Sequence, residues 1–150
     1  LNELMAEVIE EIDPIANEKG IEIIAMYESD HYLHEANRSL LFTLFFNILN
    51  NAVKFSEIEN KGPVEVRCQK SNNIFIVKIT DHGPGMTSEQ AAEIFQRFRK
   101  RKSSNGHGLG LAIARSIADF HNIDIRIETQ PGRGTTFALF FTNNEQQALA

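Results

Sequence analysis

The sequence predicts an α+β fold, a two-layer α/β sandwich whose mixed, mostly antiparallel sheet carries helices on one face. Three observations predict it. Apolar residues recur at helical spacing in well-separated stretches. Runs rich in β-formers come in pairs joined by short polar turns. The resulting order is helix, strands, helix, hairpin, loop, helix, loop, helix, hairpin, and hairpins alternating with helices suit one sheet covered on one side.

Residues 1–19 place Leu1, Leu4, Met5, Val8, Ile9, Ile12, Ile15 and Ala16 on one helical stripe. Pro14 is expected to kink or divide that helix, and Gly20 to stop it. Residues 21–26 read as a strand, with a short second strand near 32–36. Asn37 is placed to cap the next helix, residues 38–55, where Leu40, Leu44, Ile48 and Ala52 form an apolar stripe flanked by Leu41, Phe45 and Leu49. Residues 56–63 read as a polar turn. Residues 64–69 and 74–80 read as antiparallel strands around a turn at Ser71-Asn72-Asn73. A loop at Asp81-His82-Gly83-Pro84-Gly85-Met86 precedes a helix capped by Ser88 and running to about residue 98. Residues 99–107 are basic, polar and expected to be flexible. A helix follows over 109–120, ending at His121, then strands at 123–128 and 135–142 joined by Pro131-Gly132-Arg133-Gly134. We expect one domain over 1–142 and a frayed tail over 143–150.

A chain of 150 residues suits a single core. Its net charge of −5 argues against nucleic acid as a partner. No apolar run approaches the roughly 20 residues needed to span a bilayer. A single cysteine, Cys68, excludes an internal disulfide. The sequence opens at Leu1 already in helical pattern, as expected of a piece of a longer protein. The basic run Arg97, Arg99, Lys100, Arg101 and Lys102 concentrates positive charge in an acidic chain; by itself it reads more simply as a solvated loop.

Asn47, Asn50 and Asn51 crowd the middle of a long helix, where each costs up to about 0.7 kcal/mol relative to alanine. Asn47 and Asn51 are one turn apart and share a face, with Lys54 and Phe55 continuing nearby. Amide oxygens, a lysine and an aromatic ring on one side could cradle a metal-bound phosphate; a polar outer helix face is the plainer reading. Carboxamides packed in the interior would defeat the cradle. Three glycine-rich segments follow: Asp81-x-Gly83-x-Gly85 after a strand, Gly106-x-Gly108-x-Gly110 opening a helix, and Gly132-x-Gly134-Thr135 between strands. Each alone could be only a turn. A helix N-terminus offers unpaired N–H groups to phosphate, which puts Gly108, Leu109 and Gly110 forward as backbone donors. The Walker pattern is absent, and GxGxG after a basic loop fits the dinucleotide fingerprint in neither context nor spacing.

The order of these segments, with Ile94-Phe95-Gln96-Arg97-Phe98 between the first two glycine motifs, resembles the ATP-binding catalytic domain of sensor histidine kinases. That family belongs to the wider superfamily of gyrase, Hsp90 and mismatch-repair ATPases with the Bergerat-type ATP-binding fold. Asn47-Ile48-Leu49-Asn50-Asn51-Ala52-Val53-Lys54-Phe55 looks like its asparagine box and Ile94 to Phe98 like its phenylalanine box. The resemblance implies Mg·ATP between the asparagine helix and a lid over 99–107. Asn47 and Asn51 would contact Mg²⁺ and phosphate, Lys54 phosphate, and Phe55 the nucleotide. Asp81 would take the adenine amino group, with Gly83, Gly85 and Met86 shaping that pocket. Arg97 and Lys100 would reach phosphate, and His107 would sit in the lid where some relatives carry glutamine.

Hydrolysing relatives carry a glutamate where this chain has Asn47, and a carboxamide cannot activate water. The resemblance therefore implies phosphoryl transfer to a histidine, with Asn47, Lys54 and Lys100 in the catalytic group and slow ATP hydrolysis. The acceptor histidine would lie on a dimerisation domain outside this chain, with a response regulator downstream, in a cytoplasmic domain without membrane contact. His34-Glu35 mimics the acceptor signature but lies only thirteen residues before Asn47, in a strand or loop. His31 and His34 lack a third metal ligand and read as surface histidines. Two other readings remain open: an ATPase of the chaperone, topoisomerase or repair type, which would want glutamate at position 47, and a nucleotide-binding module without catalysis.

Overall fold

In a computed structural model, residues 1–28, 37–58, 62–99 and 106–142 are described. Helix α1 (Asn2–Glu18) leads to strand β1 (Ile23–Tyr27) and helix α2 (Arg38–Ile58). Strands β2 (Val64–Ser71) and β3 (Ile74–Asp81) form a hairpin. Helices α3 (Ser88–Arg99) and α4 (Gly106–Phe120) follow, and β4 (Asp124–Thr129) and β5 (Thr135–Thr142) close the chain. The sheet order is β1-β2-β3-β5-β4. Only the β1–β2 pair is parallel, so the sheet is mixed and mostly antiparallel as expected.

Strand alternation makes the core one-sided. Val64, Val66 and Cys68 on β2, Phe75, Val77 and Ile79 on β3, and Phe137, Leu139 and Phe141 on β5 are buried. They meet Leu41, Leu44, Phe45, Ile48, Leu49, Ala52 and Val53 of α2. Phe141 packs against Phe45 and Phe75 with ring centroids 5.9 and 6.1 Å apart, distances at which tilted and edge-on aromatic contacts are favourable. Leu4, Met5, Val8, Ile12 and Ala16 seal α1 onto the same core. Ion pairs from Lys19 to Glu57 and from Arg38 to Glu7 join α1 to the ends of α2.

Local chemistry sets the boundaries. Gly20 adopts φ +70° where α1 stops. Asn37 caps α2, its Oδ1 accepting the Leu40 N–H at 3.1 Å. Asn72 and Asn73 both have positive φ, which a two-residue hairpin needs and asparagine tolerates. His121 ends α4: its Nδ1 donates to the Ile117 carbonyl, and its Nε2 accepts the Asn37 N–H, tying that helix end to the start of α2.

Several boundaries differ from expectation. Pro14 does not divide α1, which runs unbroken from residue 2 to 18. The first strand begins at Ile23, with Ile21 buried ahead of it. Leu40 is exposed, so the buried stripe of α2 runs through Leu41 instead. Helix α2 continues through Ser56 to Ile58; burial of Ser56 and Val53 on the core side carries it past the expected polar turn. Thr87, not Ser88, caps α3 in a reciprocal box: its Oγ1 accepts the Gln90 N–H, and Gln90 Oε1 accepts the Thr87 N–H. Helix α4 starts at Gly106, inside the segment expected to be flexible. The expected strand near 32–36, His31, His34 and the tail lie outside the described residues.

Candidate functional site

The core-facing columns of three neighbouring strands turn polar at the same end of the sheet. Val77, Leu139 and Ile125 lie in one row, and Ile79, Phe137 and Ile127 in the next. The following row is Asp81, Thr135 and Thr129. Asp81 thus occupies a position whose pattern demands a hydrophobe, and it is only 1% exposed. Its Oδ1 accepts the Gly83 N–H at 3.0 Å, while Oδ2 has no hydrogen-bond partner. Burial pushes its carboxyl above the ordinary range, opposed by the Gly83 and Thr135 backbone N–H groups. A buried acceptor left bare costs about 1–3 kcal/mol, which is tolerated when a ligand completes it.

A cavity of about 310 Å³ opens at this end. Phe55, Met86 and Ile94 give it apolar walls, Gln90 and Glu93 stand on the α3 side, and Pro84, Gly85 and Thr135 complete it. An apolar slot with a few convergent polar groups suits a planar ring with one polar edge.

Main-chain contacts fix the loop after β3. A Cβ on Gly83 would stand 2.6 Å from the Phe55 carbonyl oxygen, so that glycine lets the loop press against the end of α2. Gly85 has φ +70°, and a Cβ there would run into the Gln130 carbonyl oxygen. Gly134 meets the Asp81 carbonyl in the same way. The Gly132 N–H donates to the Pro84 carbonyl at 2.7 Å. The β4–β5 turn therefore packs on the site, as its glycine pattern suggested, and the two glycine loops brace each other.

The asparagines of α2 are not equivalent. Asn47 is half-buried, and a Cβ on Gly110 would lie 3.3 Å from its Oδ1, so α4 crosses α2 closely there. Asn51 is only 3% exposed, deeper than a cradle open to solvent would have it. Its Nδ2 nevertheless lacks a hydrogen-bond partner, and an interior amide of purely structural purpose would be satisfied. Neither residue lies on a polar outer face. Lys54 and Phe55 are half-buried on the following turn.

The start of α4 at Gly106 places Gly108 in the first turn, where helix amides lack internal partners, with Leu109 next in the helix. Gly110 follows that turn, and its approach to Asn47 supplies a second reason for glycine. Gly110 is not among the described residues that line the cavity. Lys100 lies outside the described residues, as do the side chains of Arg97, His107 and Leu109. Among the described residues, no three His, Cys, Asp or Glu side chains gather as a metal cage.

Thr129 and Thr135 were missed as site residues. The signal was present: stepping two residues back from Phe137, or two forward from Ile127, along a core-facing column lands on a threonine. Pro84, Gln90, Glu93 and Ile94 also line the cavity without having been singled out for it.

The chain is similar to known proteins. Heme sensor protein HssS of Staphylococcus saprophyticus is 36% identical over 94% of this chain, which spans 30% of that protein's length. The structure of full-length ShkA in complex with AMPPNP superposes with a TM-score of 0.79 at 29% identity, over 92% of this chain and 29% of that one. The catalytic domain of histidine kinase ThkA shares the fold, with a TM-score of 0.81 at 23% identity over 95% of this chain and 92% of that one. The family model for histidine kinase-, DNA gyrase B- and HSP90-like ATPases matches residues 36–145. Together with the buried aspartate, the asparagine helix and the interlocked glycine loops, that match places the chain in this ATPase family.

Proposed function

We propose that this domain binds Mg·ATP and presents its γ-phosphoryl group to a histidine on a dimerisation domain outside the chain, from which a response regulator would receive it. The observation that carries this reading is the bare, buried Oδ2 of Asp81, whose cross-strand neighbour Thr135 lines the cavity of about 310 Å³. Adenine carries an exocyclic amino group that would supply the missing donor, while Phe55, Met86 and Ile94 would cover the ring. The chain spans under a third of its curated relative, which leaves ample sequence for an acceptor domain.

At the phosphate end, Asn47, Asn51, Lys54, Arg97, Lys100 and the amides of Gly108, Leu109 and Gly110 would hold the triphosphate. Mg²⁺ takes oxygen ligands and keeps several waters, usually sharing substrate phosphates. One or two carboxamide oxygens from Asn47 and Asn51 fit such a shared ion; bound, it would neutralise phosphate charge. His107 would flank this end. Position 47, where hydrolysing relatives carry a glutamate, holds a carboxamide that cannot activate water, so the domain would hold and orient ATP without hydrolysing it quickly. Phosphoryl transfer needs mainly positioning and charge neutralisation, and a histidine brings its own nucleophile. This observation favours a kinase over a hydrolysing ATPase. A cytoplasmic setting follows from the need for ATP.

The test mixes this domain with a histidine-bearing dimerisation domain and γ-labelled ATP. Acid-labile phosphate should appear on the histidine. Rapid ATP turnover by the isolated domain, or no binding of ATP at all, would refute the proposal.

A further inference from the structure

Thr129 makes three contacts from one hydroxyl. Its Oγ1 accepts the Met86 N–H at 2.9 Å, donates to the Gly134 carbonyl at 3.1 Å, and lies 2.9 Å from Thr135 Oγ1. A hydroxyl has one proton and two lone pairs. The Gly134 carbonyl can only accept, so the Thr129 proton is committed there. The Met86 amide can only donate, so it occupies one lone pair. The bond between the threonines must then use the Thr135 proton, which fills the second. Thr129 is saturated, and any other arrangement loses a bond. Thr135, which lines the cavity, keeps only lone pairs for whatever enters.

We infer that Thr129 is a positioning residue that sets the base selectivity of the slot: by holding Thr135 as an obligate acceptor, it gives the deep end an edge of acceptors only. That edge is Asp81 Oδ2 beside its strand neighbour Thr135. It fits a purine bearing a 6-amino group, taken directly or through a bridging water, and disfavours a 6-oxo purine, which presents an acceptor there. Asp81 cannot enforce this alone, because a carboxyl raised by burial can take up a proton and become a donor. A threonine whose proton is engaged cannot. Thr129 also pins Met86, one cavity wall, to the β4–β5 turn, so wall and edge are set by the same atom.

This inference rests on the adenine reading and is tested by titrating the domain with ATP and with ITP, its 6-oxo counterpart. Thr129→Val keeps the shape and removes the hydroxyl. It should lower the ATP:ITP affinity ratio about tenfold, the effect of one hydrogen bond, as Thr135 becomes free to donate. Thr129→Ser should stay within about twofold of wild type, since it restores the same three bonds. Thr135→Val should lower the ratio as far, and adding Thr129→Val to it should change the ratio no further. A folded Thr129→Val protein with the wild-type ratio overturns the inference, as does a serine variant that behaves like valine, or an undiminished effect of Thr129→Val without Thr135. Should the valine variant at 129 not fold, an unchanged ratio in Thr135→Val overturns it equally. In all these cases wild-type binding of ATP leaves the adenine reading standing. Failure of the wild type to bind ATP sinks both.

Discussion

Asp81→Asn keeps the shape of the side chain and removes its charge. In the empty domain this should stabilise the fold. The carboxylate is 1% exposed, with the Gly83 and Thr135 N–H groups turned to it and one bare oxygen. Ionised, it loses hydration that these N–H groups do not fully replace. The variant's amide nitrogen would also lack a partner, so only the charge part of the penalty is relieved. From a cost of about 1–3 kcal/mol for an unpaired buried polar atom, the net gain should be about 1 kcal/mol, or about 2–4 °C in melting temperature. Because burial raises the carboxyl, the folded protein keeps that proton to higher pH than the unfolded chain. The wild type therefore loses stability as pH rises from the ordinary carboxylate range through the raised value. The gap between the proteins should open over that window and close below it. Binding should move the other way. A hydrogen bond to a charged acceptor contributes about 1.5–3 kcal/mol, so ATP affinity should fall roughly 10- to 150-fold. Thermal melts against pH without nucleotide, and calorimetric titration with ATP, check both signs. A variant that melts lower than wild type at the alkaline end of the series, or that binds ATP equally well there, would refute the reasoning.

Other changes should give equally specific outcomes. Gly85→Ala combines positive φ with a Cβ driven into the Gln130 carbonyl and should cost more than about 2 kcal/mol and abolish ATP binding; Gly132→Ala, with open space around it, should cost only about 1 kcal/mol of backbone strain, so similar melting points for the two would contradict the bracing of the loops. Phe141→Ala removes a ring packed between Phe45 and Phe75 and should cost about 3–5 kcal/mol, read by denaturant unfolding. The Cys68 thiol is fully buried and pushed up to about 11 by loss of hydration, so it should resist a thiol reagent until the protein unfolds; prompt labelling of native protein would show the β2 column open. Thr87→Ala removes half of the α3 capping box and should cost about 1 kcal/mol by thermal melt.

Periodicity was enough to locate the helices and pair the strands, because hydrophobic spacing is a local property. Asp81 could be nominated from its place at a strand end before glycines. What periodicity cannot give is register between strands. That Asp81, Thr135 and Thr129 share a row depends on how two hairpins align, and no single strand records it. Helix ends were also misjudged where tertiary burial outweighs local preference. Ser56 looks like a turn residue but is drawn into α2 by the core. Thr87 and Ser88 are both good caps, and only the reciprocal bonds to Gln90 choose between them. Asn51 looked like a residue of an open cradle because sequence spacing gives its face on α2, not how deeply the fold buries that face.

The loops beside the slot meet through main chain: carbonyls of Gln130, Asp81 and Phe55 against α-carbons of Gly85, Gly134 and Gly83. Such packing is indifferent to side-chain drift at Pro84, Gln130 or Arg133, so related proteins can diverge there and keep the same cavity shape. An inhibitor that fills only the base end would then discriminate poorly among them. Selectivity would have to be gained along the α3 wall, where Gln90 and Glu93 present side chains that another sequence is free to change.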